Sequence, residues 1–327
     1  MVALYVTSSV AGSGKTTVIG GLARRLAGQG KSVGYFKPIV SASPTAGADA
    51  DALLLRTALG LTEPVETLAP VFGTEFELSR NARMACVRAA PSQDVVLIEG
   101  GRSPISTAAA LDARIIGVEV FSADMDGAAA FYKEAGGRLV GIIVNRVPRH
   151  RIADVTAGLS GQLAGAGLKM LGALPEDRAL TSLTVAELVN ELGGKVVAGP
   201  AQSAALIENV MLGAMTPDPG PLYFGQRSNK AVVVKSERPD LQIAALQTST
   251  VCLVLAGKSA PIPAVLARAA DTRVPLVTVA DDVPTVIGRL EAALRNARLS
   301  AAKVERAAEL IAKHADLPQI DQTLGLK

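Results

Sequence analysis

The sequence is poor in aromatic side chains and in the residues that most often bind metals or form disulfides. It contains no Trp, its aromatic residues make up 3% of the 327 positions, and it has two His and two Cys. The core must therefore consist mostly of Val, Ile, Leu and Ala, which is typical of α/β proteins whose parallel strands are buried on both faces. With 49% hydrophobic residues, the chain is long enough for two domains with a core each.

The scarcity of Cys and His also limits the chemistry that this chain can perform. Cys86 and Cys252 have no spacing that predicts a metal site or a disulfide, and Cys252 lies in the apolar run "TVCLVLAG", which predicts a buried thiol. Glutamine-fed amidation needs a Cys nucleophile with a His partner. His150 and His314 lie in polar stretches without an elbow motif, so the sequence argues against a glutaminase, and we expect both histidines at the surface.

The sequence also lacks long runs of charged residues and long runs of apolar residues. The net charge is +3, from 33 basic and 30 acidic residues that are spread along the chain, which disfavours nucleic acid as a partner. No apolar run reaches the roughly 18 residues of a membrane-spanning helix, and no signal peptide precedes the first predicted strand. We therefore expect a soluble, cytoplasmic protein that binds neither nucleic acid nor membranes.

What the sequence does contain is a regular alternation of strand-like and helix-like segments. The alternation predicts a doubly wound, mostly parallel α/β sheet with right-handed crossovers. Its strand-like runs cover 2–8, 32–40, 94–101, 113–122, 138–147 and 169–177.

A second α/β pattern follows the first. The stretch 215–230 is rich in Pro and Gly, and three further apolar runs after it alternate with Ala-rich helical stretches. From Ser300 onward, apolar residues at helical spacing predict an amphipathic helix. The sequence therefore predicts two domains, a doubly wound α/β domain over 1–180 and a smaller α/β domain over 181–327.

The loop before the first helix, "VTSSVAGSGKT", is typical of phosphate-binding loops (P-loops). The strict pattern has a glycine where this chain has Ser9, but Gly12, Gly14, Lys15 and Thr16 are present. Glycines let backbone N–H groups turn toward a phosphate, the helix N-terminus adds partial positive charge, and Lys15 can reach the β- and γ-phosphates. A small-residue turn with a solvated lysine is the alternative, which the flanking strand and helix disfavour. The loop predicts ATP binding by Gly12, Ser13, Gly14, Lys15, Thr16 and Thr17.

A magnesium site would need hard oxygen ligands beside the hydroxyl of Thr16. Glu99 ends the run "VVLIE" at the carboxyl edge of the predicted sheet, where sites in open α/β sheets form, although an ordinary polar strand end is the alternative. Asp51, in "GADADALLLR", is a second candidate ligand. Asp49 and Asp51 would fit equally well at the start of a helix, where acidic residues cap N–H groups and favour the dipole.

Lys37 follows a predicted strand in "YFKPI", so it should also lie at the carboxyl edge of the sheet. Together with Lys15 it could flank one transferring phosphoryl group and neutralise the charge that develops there. Considered alone, a lysine before a proline is more often solvated.

Together, "VTSSVAGSGKT", "FKPIVS", "ADA" and "IEGG" resemble the motifs of the dethiobiotin synthetase family over about residues 1–180. The resemblance implies that Lys15 and Lys37 bind phosphates and act in catalysis. It also implies that Thr16, Asp51 and Glu99 hold Mg²⁺. The related partition and nitrogenase-type ATPases carry an extra lysine early in the loop, where this chain has Val10.

The same resemblance implies three further site residues. Ser41 would lie near a carboxylated substrate, Asn145 in "IVNRV" would recognise adenine, and Pro175 in "GALPED" would form a second wall of that pocket. The chain departs from the family after the glutamate, where a Gly-Ala-Gly-Gly type of loop is usual and this sequence reads "EGGRSPIS". The departure lies on the acceptor side and leaves the nucleotide motifs intact.

The second half resembles the so-called DRTGG domain in "LTVAELVNELGGKVVAG", "ENVMLGAMTP" and "VVKSERPDLQIAALQT". The resemblance marks Glu237, Arg238 and Asp240 as a site, whereas a solvated helix start with Asp240 near the dipole accounts for them equally well. The order of the two domains is similar to that in the N-terminal region of long phosphate acetyltransferases.

These observations support three functions. The first is a Mg²⁺·ATP-binding regulatory protein, with or without slow ATPase activity, whose second domain binds an unknown small molecule or protein partner. The second is an ATP-dependent ligase of the dethiobiotin synthetase or cobyrinate a,c-diamide synthase type, which activates a carboxylate. The third, an interaction scaffold with an inactive ATP site, is disfavoured because Lys15 and Thr16 are both present. Since relatives of the first domain commonly pair, we expect a homodimer, and we predict no acetyltransferase or glutaminase domain.

Overall fold

The computed structural model describes residues 1–41, 49–101, 104–121, 126–199, 203–214, 220–295, 297 and 299–326. The chain divides into two compact units. Unit 1 consists of Met1–Asp177 together with Leu299–Lys327, and unit 2 consists of Arg178–Arg298. Unit 2 is thus an insertion within the chain of unit 1. The predicted ranges 1–180 and 181–327 differ from this division, because they assign the C-terminal segment to the second domain.

Unit 1 is built on a parallel sheet of six strands. The strands described in its first segment are β1 (Val2–Thr7), β2 (Val33–Phe36), β3 (Ile39–Val40), β4 (Val71–Phe72), β5 (Val95–Glu99), β6 (Arg114–Val120), β7 (Leu139–Val147) and β8 (Met170–Pro175). The sheet has the order β2-β5-β1-β6-β7-β8 with parallel pairing throughout, while β3 and β4 pair with each other. This arrangement confirms the predicted doubly wound, mostly parallel α/β fold.

Helices alternate with these strands. They are α1 (Lys15–Gly28), α2 (Ala50–Leu59), α3 (Val65–Leu68), α4 (Glu75–Ala89), α5 (Pro104–Ala110), α6 (Asp126–Tyr132) and α7 (Ile152–Gly165), with short 3₁₀ helices at Lys133–Arg138 and Arg149–Arg151. The central strands are continuous apolar runs, as expected for strands covered on both faces. Leu4 and Val6 of β1 and Val96 and Ile98 of β5 are fully buried.

The strand order determines which residues surround the loop after β1. Because β1 lies between β5 and β6, the carboxyl ends of all three strands meet at one edge of the sheet. Glu99 of β5 is in register with Val6 of β1, and Gly117 of β6 is in register with Thr7. The loop that follows Thr7 is therefore flanked by the ends of β5 and β6, which is where open α/β sheets bind ligands.

Unit 2 is a second, smaller α/β unit, as predicted. Its strands are β9 (Leu183–Thr184), β10 (Lys195–Ala198), β11 (Leu206–Ile207), β12 (Asn209–Gly213), β13 (Lys230–Lys235), β14 (Thr250–Ala256) and β15 (Leu276–Val279). Its helices are α8 (Arg178–Thr181), α9 (Val185–Leu192), α10 (Gly220–Gly225), α11 (Pro239–Leu246), α12 (Pro263–Asp271) and α13 (Val283–Arg295).

The main sheet of unit 2 has the order β10-β15-β14-β13-β12, with β10 antiparallel to β15 and the other neighbours parallel. Helices cover both faces of this sheet. One apolar cluster contains Phe224 of α10 and Leu241 of α11, and the other contains Leu188 of α9 and Leu290 of α13. The buried Cys252 of β14 belongs to the second cluster, as its apolar surroundings in the sequence predicted.

The chain then returns to unit 1 with α14 (Ala301–His314) and α15 (Leu317–Thr323). The predicted apolar face of α14 is buried, and its Ala307 backbone lies against Gly21 of α1, where an added Cβ would be 2.8 Å from the Ala307 carbonyl carbon. Arg25 of α1 forms a two-point ion pair with Asp321 of α15, at 2.7 and 2.5 Å. The sequence predicted this helix correctly, but its amphipathic spacing does not reveal which core it covers.

Among the described residues, no helix combines the length and the apolar character that crossing a bilayer requires.

Candidate functional site

The loop between β1 and α1 has the backbone that its glycines allow. Gly12 and Gly14 have φ values of +71° and +97°, in the region that favours glycine. Gly14 also has no room for a side chain, since a Cβ would lie 2.3 Å from Nδ2 of Asn145. That amide donates to the carbonyl oxygen of Ser13 at 2.8 Å, and Asn145 Oδ1 accepts from the backbone N–H of Arg146 at 2.9 Å.

Several features of the loop fit a phosphate group. Helix α1 begins at Lys15 with no acidic residue in its first turn and no side-chain cap on its N-terminal N–H groups, so the positive end of its dipole is available. Within the described part of the chain, the buried hydroxyls of Thr7 and Ser13 have no hydrogen-bond partner. Uncapped N–H groups and unpaired hydroxyls at one loop are the donors that a phosphate chain would use.

Lys15 lies folded back over the loop. Its Nζ donates to Ser8 Oγ at 2.7 Å, and burial lowers the pKa of this amine from its ordinary value, against the opposing effects of Glu99 and Glu119. Because the Lys15 amine is held by the Ser8 hydroxyl at the loop itself, it can exchange that hydroxyl for a phosphate oxygen bound there.

Glu99 is the buried carboxyl group of the site. Its Oε1 accepts from Thr16 Oγ1 at 3.0 Å, and its Oε2 accepts from the hydroxyl of Tyr35 at 2.8 Å. Burial raises the pKa of Glu99, although Lys37 acts in the opposite direction. The Thr16 and Glu99 oxygens come from different elements and converge at the N-terminus of α1, so they fit a Mg²⁺ ion that would share phosphate oxygens and keep several waters.

Lys37 and Asp51 were predicted as a phosphate ligand and a metal ligand, and the structure brings them into contact. Lys37 Nζ lies 2.6 Å from Asp51 Oδ2, 3.1 Å from Asp49 Oδ1 and 3.7 Å from Glu99 Oε1. Burial alone would lower the pKa of Lys37, but Glu99, Asp51 and Asp49 together raise it above its ordinary value. Lys37 is therefore a partly buried ammonium rather than a solvated side chain.

The two aspartates have separate local roles. Asp49 is the N-cap of α2, where its side chain accepts from the N–H of Ala52 at 2.9 Å, so the helix-start alternative holds for this residue. Asp51 lies in the first turn of α2 and pairs with Lys37. In the described residues, no group of three or more His, Cys, Asp or Glu side chains could hold a metal by itself.

A cavity of about 210 Å³ lies beside Lys37 and Glu99. Polar groups of Tyr5, Glu75 and Thr107 line it together with apolar side chains. The apolar part of the lining comes from Pro38, Ile39, Val40 and Leu78, and Gly100 and Gly101 also line the cavity. Gly100 and Gly101 belong to the stretch after Glu99 where the sequence departs from the dethiobiotin synthetase pattern.

The remaining predicted residues lie around this edge of the sheet. Thr17 is half-buried in the first turn of α1, and Ser41 follows β3, with its N–H donating to the carbonyl of Phe72 at 3.0 Å. Pro175 ends β8 opposite Val147 of β7 and is buried. Asn145 contacts the loop between β1 and α1, because its amide donates a hydrogen bond to the carbonyl oxygen of Ser13.

Sequence reasoning missed Glu119. This residue of β6 is 3% exposed, and it accepts hydrogen bonds from the backbone N–H and the hydroxyl of Ser9 and from the hydroxyl of Tyr132. The available signal was an acidic residue within the apolar strand "RIIGVEV", since a buried carboxyl group needs hydrogen-bond partners. The three tyrosines that surround the site, Tyr5, Tyr35 and Tyr132, were not predicted either.

In unit 2, polar residues gather where β13 and β14 end. Glu237 Oε1 accepts from Ser236 Oγ and Ser259 Oγ, both at 2.8 Å, and Arg238 forms an ion pair with Asp240 at 2.6 Å. Asp240 lies in the first turn of α11, whose N-terminus also has Pro239, so the helix-start alternative describes its position. Gly257 allows the close approach, because a Cβ there would lie 2.4 Å from Ser236 Oγ.

Comparison with protein families finds one match in each unit. Residues 2–111 match the family described as AAA domain, and residues 187–293 match the DRTGG domain. The chain combines an AAA domain with a DRTGG domain. This result confirms the combination that the sequence predicted. The AAA match contains Lys15, Thr16, Lys37 and Glu99, whereas Glu119 lies beyond it.

Curated relatives agree with this assignment. The phosphate acetyltransferases of Nitrosomonas europaea and Pseudomonas putida are each 26% identical to this chain, over 74% and 75% of its length. The alignment covers 39% of each of these enzymes, so the chain spans well under half of their length. The predicted likeness to phosphate acetyltransferases is therefore confirmed.

A solved structure contains a DRTGG domain as well. It comprises the CBS and DRTGG domains of the regulatory region of Clostridium perfringens pyrophosphatase, complexed with the activator diadenosine tetraphosphate. It is 15% identical, with a TM-score of 0.30, and the alignment covers 39% of this chain and 51% of that one.

Proposed function

We propose that this chain is a Mg²⁺·ATP-binding regulatory protein whose AAA domain binds the nucleotide and whose DRTGG domain carries the response. The observation that carries the proposal is the placement of Thr16 Oγ1 3.0 Å from Glu99 Oε1 at the uncapped N-terminus of α1. This juxtaposition provides hard oxygen ligands for a metal directly beside donors for a phosphate chain.

Each loop residue has a part in this arrangement. The backbone at Gly12 and Gly14 would turn N–H groups toward the phosphates, and Lys15 would leave Ser8 for a β- or γ-phosphate oxygen. Bound Mg²⁺ would neutralise phosphate charge, with Thr16 and Glu99 orienting it through an oxygen or a coordinated water. Lys37, whose pKa is raised by its three carboxylate neighbours, would remain positive beside the terminal phosphate. Asn145 would fix the loop from the base side through its bond to Ser13.

The regulatory part of the proposal concerns the 39% of each phosphate acetyltransferase that aligns with this chain. The two phosphate acetyltransferases align over both domains of this chain, and we assign the matched residues to nucleotide sensing rather than to acyl transfer. A nucleotide can change the DRTGG domain or a partner only if it binds two conformations with different affinity. Cytoplasmic location and a homodimer belong to the same proposal, and sedimentation of the purified chain would test the latter.

The nucleotide site can be tested by binding. We expect isothermal titration with ATP and Mg²⁺ to show one site per chain, and saturating ATP to raise the melting temperature, since a ligand that binds only the folded state stabilises it. Lys15→Ala should abolish both effects, whereas Lys133→Ala, which removes an exposed lysine of the same unit, should leave them unchanged. Wild-type protein that neither binds ATP nor gains stability would refute the site.

The cavity beside Lys37 favours one further candidate, an ATP-dependent ligase that activates a carboxylate. The cavity adjoins the place where Lys37 would meet a terminal phosphate, and its volume of about 210 Å³ fits a small acceptor. Under this candidate, a panel of small dicarboxylates and diamino acids should accelerate ADP release, and Lys37→Ala should remove the acceleration without abolishing ATP binding. A panel without effect on ADP release favours the regulatory function.

A further inference from the structure

Ser9 stands where the strict P-loop pattern has glycine, and the structure shows what holds it. Its backbone N–H donates to Glu119 Oε1 at 2.7 Å, and its Oγ donates to Glu119 Oε2 at 2.6 Å. Both oxygens of one carboxyl group therefore bind the same loop residue. Such two-point bonding fixes the backbone and the side chain of Ser9 together.

Glu119 is itself held rigidly. It lies on β6, next to β1 in the sheet, and its Oε1 also accepts from the hydroxyl of Tyr132 at 2.6 Å. Tyr132 packs on β6 at Gly117, where a Cβ would lie 2.6 Å from the ring. A glycine in the strand thus makes room for the tyrosine that orients the carboxyl group.

We infer that Glu119 is a positioning residue for the phosphate loop, a role that rests on the proposed nucleotide function. In the strict pattern, the glycine at the first loop position provides conformational freedom. Here Ser9 takes that position and is held by the two hydrogen bonds that it donates to Glu119 of the neighbouring strand. Since the Ser9 N–H is directed to Glu119, the phosphate cradle is left to the N–H groups nearer the start of α1. A loop that is held before binding loses less conformational freedom when the ligand arrives.

The arrangement has an electrostatic cost that a purely structural clamp would avoid. Glu119 lies directly against the loop through Ser9 and acts on Lys15 in the direction that raises the pKa of that amine, and a carboxylate beside the loop would repel phosphates. A neutral hydrogen-bonding side chain at position 119 should therefore keep the loop in place and remove the repulsion. Comparing the ligand affinity of such a variant with its melting temperature therefore distinguishes a role in positioning the phosphates from a role in stabilising the fold.

The test compares binding with stability in four variants. Ser9→Ala removes the Oγ bond, and Glu119→Ala removes all of the bonds. Glu119→Gln keeps an acceptor for the Ser9 N–H and offers its Nε2 as a donor to Ser9 Oγ, so both contacts can persist. Ser160→Ala, which changes an exposed serine of α7, is the control. Titration calorimetry in Mg²⁺ gives affinities for ATP and for inorganic tripolyphosphate, which has no base. Scanning calorimetry gives the melting temperature without ligand.

We expect Ser9→Ala and Glu119→Ala to weaken both ligands by roughly tenfold or more, as for loss of hydrogen bonds to a charged group. Glu119→Gln should bind within about threefold of wild type, or more tightly, and Ser160→Ala should not differ. The inference is overturned if Ser9→Ala binds tripolyphosphate as wild type does, or if the loss is confined to ATP. If Glu119→Ala does not fold, Ser9→Ala and Glu119→Gln decide the question. Absence of binding to wild type would instead refute the nucleotide function.

Discussion

The carboxylate of Asp177 accepts two hydrogen bonds from the guanidinium of Arg306, at 2.8 and 3.1 Å to the same oxygen. Asp177 is the last residue of unit 1 before the inserted unit 2, and Arg306 lies in the first helix after it. Arg149, which follows β7 and Asn145, donates to the same oxygen at 2.8 Å. One carboxylate thus ties together the two chain segments of unit 1, through Arg149 of the first segment and Arg306 of the second.

We expect the cluster of Asp177, Arg149 and Arg306 to stabilise unit 1. Asp177→Asn should lower the free energy of unfolding by about 2 kcal/mol, because it removes the buried carboxylate that Arg149 and Arg306 share, although Arg306 keeps its ion pair with Glu309. The value lies below the roughly 3–5 kcal/mol expected for a fully buried pair, since Arg149 and Arg306 are 65% and 38% exposed. Urea unfolding measures it. As a control, Asp112→Asn breaks an ion pair whose aspartate is 84% exposed and should cost less than about 0.5 kcal/mol. Equal stability of the two variants would contradict the role of Asp177.

The docking of α14 on α1 gives a second stability prediction. Gly21→Ala should destabilise the protein by about 1–3 kcal/mol, because the new Cβ would lie 2.6 Å from Ile311 Cδ1 and 2.8 Å from the Ala307 carbonyl carbon. Gly158→Ala in α7 is the matched control, since nothing lies within 4 Å of its added Cβ, and it should stabilise by about 0.5–1 kcal/mol through helix propensity. Thermal unfolding of both variants distinguishes crowding from propensity, and stabilisation by Gly21→Ala would show that the two helices are not in close contact.

The pairing of Thr16 with Glu99 predicts how metal affects nucleotide affinity. Thr16→Val removes the hydroxyl and keeps the shape of the side chain, so it should reduce the gain in ATP affinity on adding Mg²⁺ by about tenfold. In EDTA the variant should bind ATP as wild type does, which serves as the internal control. Titration calorimetry with and without Mg²⁺ measures both quantities. An equal loss in both conditions would mean that Thr16 contacts the nucleotide rather than the metal.

The two buried thiols should be inert in the folded protein. Burial raises the pKa of Cys86 to about 11 and that of Cys252 to about 12. At pH 8 the thiolate fraction is therefore on the order of 0.1% and 0.01%, and thiolate is the reactive form. A thiol reagent should modify neither at pH 8, modify Cys86 first as pH rises toward its pKa, and modify both after denaturation. Rapid labelling of either thiol at pH 8 would show that unit 1 or unit 2 opens locally.

Local sequence was sufficient for much of the fold and for part of the site. The six strands of the unit 1 sheet lie within the predicted runs, because each run is apolar enough to be buried on both faces and is bounded by turn residues. The loop with Lys15 and Thr16 was recognisable because phosphate binding depends on adjacent backbone groups. Glu99 was predictable from its position at the end of β5.

Long-range pairing lay beyond that local signal. Ser9 and Glu119 are 110 positions apart, and Asp177 and Arg306 are 129 apart, so no spacing in the sequence associates them. Asp51 illustrates the same limit. An aspartate at this point of the sequence fits a helix start and a metal site equally well, and its ion pair with Lys37 is visible only in the structure. The C-terminal helix was predicted from its apolar face, but an apolar face fits any core.

The sequence by itself determined the strands, the phosphate-loop motif and the presence of two α/β units, because these depend on residues that are neighbours along the chain. The tertiary structure alone decided that the C-terminal segment completes unit 1 and that Glu119 holds the loop. Both depend on strand order and helix docking, which place residues far apart in sequence within hydrogen-bonding distance.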